Sequence, residues 1–323
     1  MNVNNMELNL QIKSVDLYIC SASFESRCLA FTEGISKDSI NSVAIFYNID
    51  EVNCFDNNLQ VLQQQWGKRA TPIPVSYKDA SNIADVFGAF FKNNFSSQRG
   101  KVLLDCTTFT HEGLLIILKY LNEYKSSYDE LNIIYNCAED YSTNTVSVNE
   151  KWLTKGIKSI KTVLGYPGTS NPSKKNHLII LFGFELDRTI KLIDQMDFDE
   201  ITLCFGSETD SIKTDHYILN KNRHEELLSL YPNAKKLEIS LRDPEKTKQI
   251  LLNYVKDDPN NIVIAPMNNK ISTIGVALAT VDNPNIQIIY SKANEYNVTG
   301  YSRCSSEFIL LKIYMMILFI VHK

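Results

Sequence analysis

The sequence predicts an α/β fold of two tandem domains, each built on a mainly parallel sheet. Short apolar runs alternate with helical segments along most of the 323-residue chain, a pattern typical of parallel strands joined by crossover helices. A stretch rich in glycine, proline and small polar residues at 165–176 divides this alternation in two. Similar residues recur in both halves, which indicates an internal duplication.

The first-half strands are predicted from continuous apolar runs, which suit strands covered on both faces. These runs lie at 16–21, 42–48, 72–77, 101–106 and 131–137. Helical segments are predicted between them at 25–36, 53–65, 80–93 and 110–123. The last of these helices has a wide apolar face, so we expect it to be packed deep in the fold.

The second half repeats the same order of elements. Its predicted strands lie at 177–182, 201–206, 236–240, 261–265 and 286–291. Its predicted helices lie at 185–196, 215–230, 244–256 and 270–281. The pair Asp243-Pro244 marks one helix start, because proline is favoured at the first helical position.

These elements predict four parts of the chain. A Rossmann-like domain covers 1–164, a linker 165–176, a second Rossmann-like domain 177–303, and an apolar tail 304–323. The apolar run at 308–321 contains a single charge, Lys312, and is shorter than the roughly 20 residues that span a bilayer. We therefore expect a buried terminal helix or strand, with a membrane or partner contact as the alternative.

The duplication rests on two short matches in the same order. A Phe-Glu pair followed by arginine occurs at the first helix start of each half, and the pattern Y-x-x-A-x-x-Y ends the last strand of each half. The matched residues are Phe24, Glu25, Arg27, Tyr135, Ala138 and Tyr141, then Phe184, Glu185, Arg188, Tyr290, Ala293 and Tyr296.

Composition excludes several classes of protein. The net charge of −4 argues against general nucleic-acid binding. The seven cysteines form no CxxC pair, and the N-terminus shows no signal-peptide pattern, so we expect reduced cysteines in a cytoplasmic protein. No metal-binding histidine pairing, no GxGxxG and no P-loop is present. The sequence therefore predicts neither a metal nor a cofactor.

The candidate site lies at the strand ends, because open parallel sheets bind ligands outside the carboxyl ends of their strands. The first strand ends in Ser21 and Ser23, with Arg27 close behind. Hydroxyl groups and a guanidinium suit phosphate. The alternative is structural, with Ser23 capping the helix and Arg27 paired to Glu25.

The other strand ends offer similar polar groups. Candidate ligand contacts there are Asp105, Thr107, Thr108, Gly183, Arg188, Asn268, Asn269 and Lys270. The structural alternatives are a Thr110 N-cap, an Asp105 turn and an asparagine-rich turn before a solvated lysine. His111 is either a general base or a solvated first-turn histidine. Tyrosines near the last strands could stack on a base, although tyrosine there is more often packing.

Taken together, these residues resemble the CRISPR-associated Rossmann fold (CARF) superfamily and its SAVED relatives. The segment 177–208 is similar to their first strand, glycine-containing loop, helix and second strand. The segment 105–111 is similar to a strand-four motif D-x-T-x-G-x-K, with Phe109 and His111 in place of its glycine and lysine, and 265–270 takes the same place in the second half. The resemblance implies a ligand role for Asp105, Thr107, Thr108 and Lys270.

Three functions follow as hypotheses. The first is a module that senses a small phosphorylated nucleotide in antiviral defence, as the resemblance to cyclic-oligonucleotide sensors implies. It would signal to an effector protein partner, with oligomerisation left open. The second is a nucleoside- or NAD-processing enzyme of glycosidase type, with Glu25 or Glu185 as its carboxylate. The third is a non-catalytic interaction subunit.

Overall fold

The computed structural model describes residues 2–4, 8, 11, 12, 14–50, 56–94, 100–211 and 213–313. The first half contains β1 (Asn2–Asn4), β2 (Val15–Ala22), β3 (Ile40–Asn48), β4 (Ala70–Val75), β5 (Lys101–Asp105) and β6 (Glu130–Tyr141). Its helices are α1 (Ala30–Gly34), α2 (Asp56–Trp66), α3 (Ala80–Asn94) and α4 (His111–Glu123). All five strands predicted for this half are present.

The second half contains every element predicted for it and further strands. Its strands are β7 (Thr154–Pro167), β8 (Asn176–Leu181), β9 (Glu200–Gly206), β10 (Lys235–Ile239), β11 (Asn261–Pro266), β12 (Gln287–Tyr296) and β13 (Ser302–Lys312). Its helices are α5 (Leu186–Gln195), α6 (Thr214–Leu230), α7 (Pro244–Val255) and α8 (Lys270–Asp282). Asp243 caps α7 by accepting a hydrogen bond from the Lys246 amide.

The strands form two sheets with the same internal order. The first sheet runs β1-β13-β6-β5-β2-β3-β4 and the second runs β10-β9-β8-β11-β12-β7. Each sheet contains five adjacent parallel strands that reach one edge of the sheet, β6-β5-β2-β3-β4 in the first and β12-β11-β8-β9-β10 in the second. One antiparallel strand borders β6 and one borders β12. Two Rossmann-like domains are therefore present, and the repeated order supports duplication.

The antiparallel border strands are exchanged between the halves. Strand β7 follows β6 in the chain but pairs with β12 in the second sheet, in a register that includes Thr154 opposite Tyr296. Strand β13 follows β12 but pairs with β6 in the first sheet, with Ser302 opposite Tyr141. Each half thus supplies the strand that borders the other half's last parallel strand.

This exchange corrects the predicted boundaries at two places. Residues 154–164 belong to the second sheet, although the prediction placed them in the first domain, and 165–167 are strand where a linker was expected. Residues 304–312 are a strand of the first sheet, where a tail outside the repeat was expected. Chain order misleads here because hydrogen bonding to a distant strand decides which sheet a segment joins.

The start of the apolar C-terminal run is core. Phe308, Ile309 and Leu310 are buried, which agrees with the expectation of a buried terminal element. The rest of that run, from 314 to 321, lies outside the described residues. Over the ranges that the structure does describe, no helix combines the length and the apolarity needed to cross a membrane.

The two domains share one central core. Leu115 and Ile117 of α4 and Ile271 and Ile274 of α8 are fully buried and belong to the same apolar cluster, which includes strands of both sheets. The predicted apolar face of the fourth helix is therefore packed against the other half. A hydrogen bond of 2.7 Å between His111 Nδ1 and Thr273 Oγ1 joins the two helices near their N-termini.

Candidate ligand-binding cleft

The strand ends of both halves open into one cleft between the two sheets. Every predicted site residue except Asp105 lines it. The lining members are Ser21, Ser23, Arg27, Thr107, Thr108, Gly183, Arg188, Asn268, Asn269 and Lys270. They converge because the two repeats face each other, so the carboxyl ends of both sheets meet at one place.

Asp105 lies beneath the floor of the cleft, where it holds a loop in place. Its Oδ2 accepts a hydrogen bond from the Tyr18 hydroxyl at 3.0 Å, and its Oδ1 accepts from the Thr107 amide at 3.0 Å. Burial raises the pKa of this carboxyl, although the hydrogen bonds from Thr107 and Tyr18 act in the opposite direction. Asp105 therefore plays the turn-forming role that was the structural alternative.

In the first half, Arg27 forms a buried ion pair inside a hydrogen-bond network. Its Nη2 lies 2.7 Å from Glu25 Oε2, and its Nε donates to that oxygen at 3.0 Å and to Ser302 Oγ at 2.9 Å. Its Nη1 donates to the Asn136 carbonyl at 3.0 Å. Every guanidinium nitrogen of Arg27 has a partner within the protein, as in the structural alternative that pairs Arg27 with Glu25.

The second half repeats this network with equivalent residues. Arg188 Nη1 donates to Glu185 Oε2 at 2.8 Å and to Thr154 Oγ1 at 2.7 Å, while Nη2 donates to the Ser291 carbonyl. In both halves the hydroxyl group that accepts from the arginine lies on the exchanged strand, Ser302 on β13 and Thr154 on β7. One difference remains, because Arg188 Nε is buried and has no partner among the described residues.

The polar loop residues are held by local hydrogen bonds. Ser23 Oγ accepts from the Glu25 amide at 3.3 Å, and Thr108 Oγ1 donates to the Ser21 carbonyl at 2.7 Å. Asn268 Nδ2 donates to the Phe182 carbonyl. These side chains shape the cleft walls, and the asparagine-rich turn agrees with its structural alternative. Ser23 does not cap the helix as its alternative expected, because Glu25 holds the N-cap position and no side chain caps it.

Two helices begin at the cleft in equivalent positions. Thr110 caps α4 by accepting from the Gly113 amide at 3.0 Å, and Asn269 caps α8 by accepting from the Ser272 amide at 2.9 Å. Gly183 allows close approach, since a Cβ there would lie 3.2 Å from the Met267 carbonyl oxygen. The first turns of α4 and α8 therefore present partly positive N-termini to the same space.

Lys270 is the first residue of α8, and its charge differs from that of Arg27 and Arg188 because no carboxylate in the described part of the chain pairs with it. Its ammonium has no hydrogen-bond or ion-pair partner among the described residues. Burial lowers its pKa to about 8, while the carboxylates of Glu25 and Glu185 act to raise it. At neutral pH the cleft thus contains an ammonium group without a direct counter-ion.

His111 occupies the equivalent first position of α4. Its pKa lies well below the usual range, first because of burial and then because of the positive charges of Lys270 and Arg188. It is therefore neutral at pH 7. A solvated histidine was the structural alternative, and the partly buried hydrogen bond to Thr273 shows a different environment.

Aromatic side chains line much of the remaining wall. The hydroxyls of Tyr135 and Tyr141 lie 3.2 Å apart, and those of Tyr290 and Tyr296 lie 3.5 Å apart. Phe24 contacts Tyr301 edge-on with ring centroids 5.6 Å apart. The sequence pattern had indicated these tyrosines as packing residues or base platforms, and their place in the cleft wall allows both.

Several lining residues were not predicted from the sequence, and two of them lie on one helix. His216 and Asn220 lie in α6, and both contribute to the cleft wall. No motif marks them, because their place in the cleft depends on how α6 packs beside β9. The spacing of four residues in a helix was the available signal, since it places both side chains on one face.

A further cluster lies at the amino ends of the second-half strands, away from the cleft. His177, Glu200 and Asp258 come within metal-ligating distance of one another. However, His177 Nδ1 bonds Asp258 at 2.6 Å and its Nε2 bonds Thr202 Oγ1 at 2.7 Å. Both ring nitrogens are thus occupied, and Lys235 pairs with Glu200. The cluster is a hydrogen-bonded support rather than a metal site.

Comparisons with known proteins give only distant likenesses. No family model matches the chain, and no curated protein matches it significantly. Among solved structures, it is similar to the cytoplasmic domain of a prokaryotic cation chloride cotransporter, at 10% identity and a TM-score of 0.27, covering 88% of this chain and 99% of that chain. It is also similar to the N-domain with NADP of bacterial malonyl-CoA reductase, at 7% identity and a TM-score of 0.25, covering 83% and 77%. These scores carry no functional argument, and the fold class follows from the two sheets.

Proposed function

We propose that this protein binds a small phosphorylated nucleotide in the cleft between its two domains and acts as a sensor for it. The observation that carries this proposal is the lone ammonium of Lys270, placed at a helix N-terminus where both sets of strand ends meet. The resemblance to CARF and SAVED sensors of cyclic oligonucleotides, in antiviral defence, points the same way. A partner protein would receive the signal.

The electrostatics of the cleft favour an anion. Glu25 and Glu185 are each neutralised by an arginine at 2.7 and 2.8 Å, so Lys270 adds a positive charge that no side chain of the described ranges pairs with directly. The buried Nε–H of Arg188 is a further donor in the cleft wall, with no partner in the part of the chain that the structure describes. The N-terminus of α8 contributes partial positive charge at the same point. A phosphate group would pair with the Lys270 ammonium and accept hydrogen bonds from the first amides of α8.

The contacts of Glu25 and Glu185 argue against the glycosidase alternative. A catalytic carboxylate of that type must approach the sugar carbon, but Glu25 Oε2 already accepts hydrogen bonds from Arg27 and from Ser302 at 2.6 Å. Glu185 Oε2 is shared with Arg188 in the same way. We therefore expect NAD and nucleosides to remain unchanged after incubation with concentrated protein, and product formation would favour the enzyme.

Isothermal titration calorimetry tests the proposal with a panel of cyclic di-, tri- and tetranucleotides and of mononucleotides. Lys270→Ala is expected to weaken the best binder by roughly 10- to 100-fold, because a charge-assisted hydrogen bond contributes about 1.5–3 kcal/mol. Lys246→Ala is the matched control, since Lys246 is exposed and lies outside the cleft. Absence of binding across the whole panel, or equal losses in both variants, would contradict the proposal.

A further inference from the structure

The wall of the cleft formed by α6 contains two buried polar atoms that lack partners. His216 is 4% exposed, and its Nδ1 has no hydrogen bond within the described part of the chain. Asn220 Oδ1 is also a buried atom without a hydrogen-bond partner in the same described ranges. Each unsatisfied buried acceptor costs about 1–3 kcal/mol, so such groups in a native protein call for an explanation.

The hydrogen bond made by His216 Nε2 determines whether Nδ1 is a donor or an acceptor. Its Nε2 lies 2.9 Å from Asp140 Oδ1. Lys151 and Lys213 also bind Asp140, each at 2.9 Å, so this carboxylate is ionised and only accepts. Nε2 must therefore carry the proton.

The second ring nitrogen is then an acceptor. Burial lowers the pKa of His216 below its usual value, so the imidazole is neutral at pH 7. In the neutral ring with a protonated Nε2, Nδ1 presents a lone pair. Together with Asn220 Oδ1, one helical turn away, it forms a pair of acceptors on one face of α6.

Two aromatic rings lie beside the His216 end of this acceptor pair. Phe184 meets the His216 ring edge-on with centroids 5.3 Å apart, and Tyr141 lies 5.6 Å from Phe184. All three residues line the cleft. Aromatic faces beside a few placed polar atoms suit a flat heterocycle that stacks and hydrogen-bonds.

We infer that His216 and Asn220 are specificity-determining residues that select a planar base carrying an exocyclic amino group. Such a group has two N–H donors, one for each acceptor. An oxo group at the same place offers only lone pairs, which would repel the lone pairs of His216 Nδ1 and Asn220 Oδ1. Both buried acceptors would then remain without a hydrogen bond. This inference rests on the proposed nucleotide binding and adds the chemical class of the base.

The acceptor pair belongs to one half only. Helix α2 takes the place of α6 in the first half, and none of its residues lines the cleft. The charges that act on His216 are Asp140, Lys151 and Lys213, whereas Glu25, Arg27 and Glu185 act on Lys270. The base-reading wall and the phosphate-binding lysine are therefore separate parts of one cleft.

Calorimetry on the full chain tests this with two probe pairs that differ by amino against oxo, namely AMP with IMP and CMP with UMP. We expect the amino member of a pair to bind at least tenfold more tightly. Equal affinities within both pairs would overturn the inference while the proposed function stands. Failure of all four probes to bind would count against both. These comparisons need no variant, so a folding defect cannot obscure them.

Variants then assign the preference to α6. Asn220→Leu is expected to bring the AMP-to-IMP ratio of affinities close to one, whereas Asn220→Asp retains an acceptor oxygen and the preference. Asn222→Leu is the matched control, because Asn222 is exposed on the same helix. An unchanged ratio in Asn220→Leu, or an equal loss in Asn222→Leu, would refute the role of Asn220.

Discussion

Replacing Lys270 with methionine is expected to stabilise the unliganded protein at neutral pH. The native fold holds this ammonium in a partly buried cleft without a direct counter-ion, which lowers its pKa from 10.5 to about 8. The charged form is therefore disfavoured in the folded state relative to the unfolded state. Methionine has a similar length and no charge, so it removes this cost and gains apolar contact.

The magnitude follows from the pKa. A change from 10.5 to about 8 corresponds to about 3 kcal/mol at 1.36 kcal/mol for each tenfold change in proton affinity. The side chain is half-buried, so solvent screening reduces this figure. We expect a gain of about 1–2 kcal/mol at pH 7.

The sign of the pH dependence is fixed by the same linkage. Below about pH 8 the lysine is protonated in both states, and its full cost is present. Between pH 8 and 10.5 the folded protein loses this proton while the unfolded chain keeps it, so the wild type gains stability as the pH rises. The advantage of Lys270→Met should fall by more than half by about pH 9.5 and vanish above 10.5.

Urea unfolding followed by tryptophan fluorescence at several pH values measures this difference. Lys246→Met is the control for general effects of pH and charge, because Lys246 is exposed. A variant less stable than the wild type at pH 7 would refute the reasoning. A gain that stays constant up to pH 10 would refute it equally, since it would come from packing alone.

Two further predictions concern the fold. Arg27→Ala should destabilise the protein by about 3–5 kcal/mol in urea unfolding, because it leaves the buried Glu25 carboxylate without its partner; a loss below 1 kcal/mol would contradict the ion-pair network. Gly168→Ala should cost clearly more than Gly67→Ala in thermal unfolding. Both glycines have a positive φ, +62° and +55°, but only at Gly168 would a Cβ meet backbone, at 2.6 Å from the Gln287 nitrogen. Equal losses of stability in the two variants would contradict a clash at Gly168. The common loss would then come only from placing alanine in the left-handed region, which costs about 1–2 kcal/mol.

Sequence patterns identified the parallel strands because their apolar runs are long and continuous. They missed β7, whose lysines at 155, 158 and 161 interrupt the pattern, since an edge strand buries little of its surface. They also treated β13 as a tail, because its first residues are polar and the partner that orders it, β6, lies more than 150 residues away. Pairing between distant segments leaves no local trace in sequence.

The candidate cleft was predictable in its location but only partly in its chemistry. The rule for strand ends placed Lys270 and the hydroxyl-rich loops together correctly. It could not decide whether Arg27 faces a ligand or Glu25, since both arrangements need the same residues at the same spacing. His216 and Asn220 escaped because helix packing, rather than a motif, brings them to the cleft.

The exchange of β7 and β13 has a consequence for how this chain arose. A single repeat that sends its last strand across to a neighbour can complete its sheet only by receiving one in return, which is the arrangement of a domain-swapped homodimer. Fusion of two such copies into one chain keeps the strand exchange and allows the two sequences to diverge. The equivalent first positions of α4 and α8 hold His111 in one half and Lys270 in the other. A symmetric homodimer would carry the same residue at both positions. In this chain the two ends of the cleft differ, with a neutral histidine in one half and an ammonium group in the other, so the two orientations of a ligand in the cleft are not equivalent.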